Sequence, residues 1–109
     1  MLFRSSRPEF VHEIAGMPLE YPPRTRSIYS DLGFILLGLI LEEVDGRRLD
    51  DQFADGLSDV DLLFRPSPSL RPRIAPTEDD RAWRGRLLVG EVHDENAWAL
   101  DGVAGHAGL

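Results

Sequence analysis

The apolar positions of this chain are gathered in a few short stretches separated by proline-rich and charged segments. Near the start, Ser6-Arg7-Pro8-Glu9 has the form of a helix-opening box, with Ser6 as cap and Glu9 reaching back to it. Phe10, Val11 and Ile14 follow at helical spacing, and Gly16-Met17-Pro18 ends the segment. Residues 18–27 are rich in proline and arginine and read as an extended loop. A second helix is expected to open at Ser30 or Asp31 and to run through the unbroken apolar stretch Leu32–Leu41 to Glu42-Glu43-Val44. Asp45-Gly46 stops it. Because apolar residues cover nearly every face, this helix is expected to be buried on most sides. Gly33 and Gly38 lower its helix propensity by roughly 1 kcal/mol each. Their expected use is close approach of another element.

The remainder alternates weak elements with turns. Leu49 to Phe53 suggests a short helix, and Asp55 to Pro76 a run of turns and proline-broken extended chain. Strands are expected near Arg73-Ile74-Ala75 and over Arg86-Leu87-Leu88-Val89, with one or two helical turns between His93 and Leu100. The last eight residues, Gly102 to Leu109, contain three glycines and suggest tight turns. One very apolar helix with few apolar partners is odd for an independent domain. So are the more than twenty irregular residues from 55 to 76. The expectation is a portion from the middle of a larger protein, prone to aggregate when isolated.

Composition narrows the chemistry. The net charge of −7 leaves no basic excess to track a phosphate backbone, so no nucleic-acid partner is expected. The longest apolar run is about half of the roughly 20 residues that span a bilayer, and no apolar signal core follows Met1, so the chain reads as soluble, its localisation open. There is no cysteine, which removes disulfides and thiolate chemistry. There is no lysine either, since all 12 basic residues are arginine. Any mechanism that needs an amine must take it from outside these residues.

The candidate chemistry sits at Tyr29-Ser30-Asp31, a phenol, a hydroxyl and a carboxylate at the mouth of the apolar helix. With the flanking Pro18–Pro23 and Ser27–Gly38 segments, this block resembles the central block of the serine β-lactamase-related hydrolases. These include class C-type β-lactamases, DD-peptidases (penicillin-binding proteins) and related esterases. Gly90–Ala97 and Gly102–Leu109 are similar to a downstream block in a subgroup of them, so the resemblance spans roughly residues 8 to 109. It implies an α+β parent, the β-lactamase/DD-peptidase fold, of which this chain supplies mostly the helical subdomain and loops. It also implies hydrolysis of an ester, amide or β-lactam, as a small-molecule acyl substrate, through an acyl-serine. The family's nucleophile lies in a Ser-x-x-Lys motif, its phenol in Tyr-x-Asn, and a Lys-Thr-Gly-like strand lies opposite. Tyr29 occupies the phenol position and is expected to shuttle protons. Asp31 stands where Asn is usual, and is expected to orient substrate or neighbouring donors. A carboxylate accepts hydrogen bonds where an amide also donates. That departure is expected to shift preference from β-lactams toward esters or another acyl group. Without lysine, no serine here can head the nucleophile motif. No cofactor is implied.

Three rival readings accompany this one. Ser30 and Asp31 can be plain helix caps. The chain can be a non-catalytic remnant or binding module of the same fold. His93, Asp94 and His106 can be metal ligands of a hydrolase, although their spacing matches no strong zinc signature, and a turn held by His93 and Asp94 is the simpler expectation. The Arg81, Arg84 and Arg86 cluster near Asp79 and Asp80 reads as a solvated face.

Overall fold

The computed structural model describes residues 7–57 and 59–109; Ser6, the expected first cap, lies outside them. Helix α1 spans Arg7–Ala15, α2 Asp31–Asp45, α3 Leu49–Gly56 and α4 Glu95–Ala99. A 3-10 helix covers Pro68–Arg73, and strands β1 (Pro76–Asp80) and β2 (Arg86–Val89) form an antiparallel hairpin. The described residues are therefore α+β, with helices predominating.

Local chemistry sets the limits of α2. The Ser30 hydroxyl accepts from the Gly33 N–H at 3.2 Å, which satisfies one of the free donors of the first turn. At the other end Gly46 adopts φ 76°, open to a residue without Cβ, and its N–H bonds to the Glu42 carbonyl at 2.9 Å. Glu42 also joins three helices. One carboxylate oxygen accepts from Arg7 Nε of α1 at 2.9 Å, and the other accepts from the Leu49 N–H that opens α3 at 3.2 Å.

The core is small and lies on one side of α2. Ile35 packs with Ala97 and Leu100 around α4 and with Ala104, and Phe10, Ile14, Leu39, Val92 and Ala107 surround them. The expectation that α2 is buried on most sides is not met within this chain. Only Ile35 and Gly38 are buried, whereas Leu32, Phe34, Leu37, Ile40, Leu41 and Val44 are all exposed. Parts of its surface meet α1, α3 and the 97–107 segment; among the described residues most of its other apolar side chains stay exposed.

The glycines divide. A methyl group at Gly38 would come within 2.9 Å of the Gly105 N and of Leu49 Cδ1, so two segments do approach there. At Gly33 it would meet only its own cap, Ser30, at 3.6 Å.

Two further corrections concern the hairpin. The first strand is not at 73–75 but begins at Pro76, because the turn that leads into β2 sets the register. The Gly85 N–H bonds to the Asp80 carbonyl at 2.8 Å, pairing Asp80 with Arg86, and Thr77 Oγ1 donates to the Glu91 carbonyl at 2.8 Å. Residues 73–75 are instead taken up by the 3-10 helix and its exit. Secondly, Arg84 is not part of a solvated face. Its side chain is 5% exposed, lies 4.9 Å from the Trp83 ring centroid and 5.6 Å from that of Trp98, and donates to the carbonyls of Val92 and His93. The flat guanidinium stacks on indole while its N–H groups satisfy backbone acceptors. This fastens the hairpin to the segment that leads into α4. Arg81 and Arg86 do remain exposed.

Candidate active site

Tyr29 and Asp31 are brought together at the opening of α2. The Tyr29 hydroxyl donates to Asp31 Oδ1 at 2.9 Å, and its ring leans on Phe34 with centroids 5.4 Å apart. Ser30, between them, is occupied as the helix cap, so its hydroxyl is used structurally. The phenol is 72% exposed and stands clear of the small core.

The electrostatics of this pair are the reverse of what a tyrosine base requires. The hydrogen bond to Asp31 favours the neutral phenol, and slight desolvation and the charges of Asp31 and Asp94 add to it. The Tyr29 pKa is therefore raised above its ordinary value. In this chain the group is a proton donor. To become a base it needs cationic neighbours, and none acts on it among the described residues.

A second pair stands at the start of α4. Asp94 caps α4, its Oδ1 accepting from the Ala97 N–H at 2.8 Å. The same oxygen lies 2.7 Å from His106 Nε2. Burial by itself raises the Asp94 pKa and is the largest single effect, but the bonds from Ala97 and His106 together outweigh it and hold the carboxyl below its usual range. The bond to an ionised carboxylate requires the proton on Nε2. The His106 side chain is only 2% exposed, and its Nδ1 has no hydrogen-bond partner among the described residues.

His93 does not join this pair as a ligand. It is exposed, its carbonyl receives Arg84, and among the described residues no three His, Asp or Glu side chains converge on one point. The turn there is held by Asp94 with His106 rather than by His93 with Asp94. Sequence reasoning brought Asp94 and His106 together only as possible metal ligands, not as a hydrogen-bonded pair, and it did not find the buried Arg84. The cap position of Asp94 before Glu95-Asn96-Ala97 was the one available signal for the former; the two tryptophans on either side of Arg84 were the signal for the latter.

A broad groove of about 1140 Å³ opens beside His106, between residues 61–68, 73–77, 90–93 and 101–109. Among the described residues no helix is long and apolar enough to cross a membrane.

Comparisons with known proteins agree with the motif reading. The Beta-lactamase family model matches residues 3–109. The chain is 35% identical to a Salmonella gallinarum protein named "Putative D-alanyl-D-alanine carboxypeptidase", over 99% of this chain and 29% of that protein. It is 33% identical to the Bacillus subtilis "N-acetylmuramyl-L-alanine amidase", over 98% of this chain and 28% of that protein. The chain thus spans under a third of the length of these curated relatives. No solved structure matches it. With a family match over nearly every residue, this chain is a member of the Beta-lactamase family.

Proposed function

We propose that this chain forms one wall of the substrate cleft of a serine acyl-transfer hydrolase with the β-lactamase/DD-peptidase fold. The observation that supports this most directly is the Tyr29–Asp31 pair, presented to the outside on the first turn of a helix whose other faces await partners. The remaining walls, with the nucleophilic serine and its lysine, are contributed by sequence beyond these residues. In the reaction, serine Oγ bonds to the acyl carbon and its proton passes to a base. The leaving group departs with a proton supplied by Tyr29. Water then attacks the acyl-serine and releases the acid. A neutral phenol bonded to Asp31 suits the donor step as it stands. The base step requires lysine ammonium groups close enough to pull the phenol pKa down. The two named relatives, a carboxypeptidase and an amidase, favour an amide or peptide substrate. Asp31 in place of the family's usual Asn favours an ester or other acyl group.

Labelling with a fluorescent penicillin or fluorophosphonate tests the proposal. The 109 residues alone are expected to take no label, since no Ser-x-x-Lys motif is present. In a protein that joins this chain to a segment carrying that motif, label is expected on its serine. Tyr29→Phe then slows labelling by about 10²–10⁴-fold, the usual range for a positioned proton-transfer group. Label on the 109 residues, or an unchanged rate in the phenylalanine variant, overturns the proposal.

A further inference from the structure

A proton-transfer phenol must point in one direction, yet Tyr29 lies before the Ser30 cap, where the chain is still extended and helical hydrogen bonds do not fix its side chain. What holds it is side-chain contact at both ends of the ring. The hydroxyl donates to Asp31 Oδ1 at 2.9 Å, and the ring lies against Phe34 with centroids 5.4 Å apart and planes tilted by 38°. A hydrogen bond at the tip of a phenol fixes a point; contact along the ring is needed to fix its direction. Tilted aromatic pairs at this separation attract beyond their buried area.

Phe34 is itself well anchored. Its N–H bonds to the Ser30 carbonyl at 3.1 Å in the first turn of α2. Its carbonyl oxygen lies so close to Gly105 that a methyl group there would be driven into it. The next residue, Ile35, is buried in the core cluster with Ala104, and Ala107 packs against that cluster. The Phe34 backbone is therefore held by the core, while the residue stays 41% exposed and offers its ring to Tyr29. We infer that Phe34 is a positioning residue: its ring, anchored on the core through α2, sets the direction in which Tyr29 presents its hydroxyl.

This role rests on the reading of Tyr29 as the proton-transfer residue, but its first test involves no acyl chemistry. The χ1 rotamer of Tyr29 is read from three-bond couplings in the 109-residue chain, with helical circular dichroism as the control for folding. The parent chain is expected to hold a single rotamer. Phe34→Leu, which keeps an apolar side chain of good helix propensity, is expected to average it. Phe34→Tyr, which restores an aromatic ring, is expected to return the single rotamer. A general loosening of α2 would not separate these variants. An averaged rotamer in the parent, or a single one in a folded Phe34→Leu, overturns the inference. If Phe34→Leu does not fold, a single rotamer in both the parent and Phe34→Tyr supports it and averaging in either overturns it.

In a protein that joins this chain to a segment carrying the Ser-x-x-Lys motif, Phe34→Leu is expected to slow labelling by roughly 2–10-fold, the worth of an aromatic pair. Phe34→Tyr is expected to label at the parent rate. A slow Tyr29→Phe beside an unchanged Phe34→Leu overturns the inference. An unchanged Tyr29→Phe instead overturns the reading of Tyr29, and the rotamer measurements then decide what Phe34 does.

Discussion

Tyr29 is chemically incomplete in this chain, and the cause lies two residues away. Asp31 Oδ1 accepts the phenol O–H at 2.9 Å and favours the neutral phenol, whereas an Asn at that position would carry no charge. Exchanging Asp31→Asn has two expected consequences. The phenol titrates at lower pH, since its principal stabilising partner has lost its charge. In a complete enzyme containing this chain, turnover of nitrocefin rises relative to a p-nitrophenyl ester, since the amide can donate to a substrate carbonyl. Parallel assays of parent and variant check the second; an unchanged ratio counts against a specificity role for Asp31.

At the scale of the element, α2 shows how a poor helix-forming residue can be required or dispensable in a single helix. Gly33 faces open space beyond its cap, so Gly33→Ala is expected to stabilise the chain by up to about 1 kcal/mol through helix propensity. A methyl group at Gly38 would come within 3 Å of Gly105 and Leu49. The same gain is outweighed there by overpacking, and Gly38→Ala is expected to cost about 1–3 kcal/mol. Urea unfolding of both variants measures the contrast. Equal effects would mean that the segment from 103 to 107 does not rest on α2.

The molecule as a whole is more open than a finished domain of its size. Its radius of gyration is 15.4 Å, against about 13 Å for a compact chain of this length. Its accessible surface is 8072 Å², against about 6,100 Å² from the scaling for folded monomers. The excess falls partly on the exposed apolar residues of α2. Acid lability is also a property of this scale. Asp94 and Glu91 have carboxyls held below their usual values, Asp94 by bonds from Ala97 and His106 that exceed the cost of burial, Glu91 first by its bond from Arg86. A depressed folded pKa contributes stability that is present above the unfolded value. It is lost as pH falls through the folded one. The urea midpoint is therefore expected to hold down to about pH 4.5 and to fall below it. The fall is expected to be shallower in Asp94→Asn.

What was legible in the sequence is what neighbours along the chain decide. The bounds of α2 follow from Ser30 at one end and Gly46 at the other, and the strand at Arg86–Val89 follows from its own apolar run. Tyr29 and Asp31 meet because only Ser30 separates them. The tertiary structure alone decided the rest. Asp94 and His106 are twelve positions apart and pair only because the backbone turns between α4 and the last glycines. Arg84 carries the composition of a surface residue; its burial follows from the arrival of Trp98 beside Trp83 and of the Val92 and His93 carbonyls that accept from it. The faces of α2 read as buried because periodicity reports what a side chain prefers; whether a partner is present to bury it is a matter of the other elements in space.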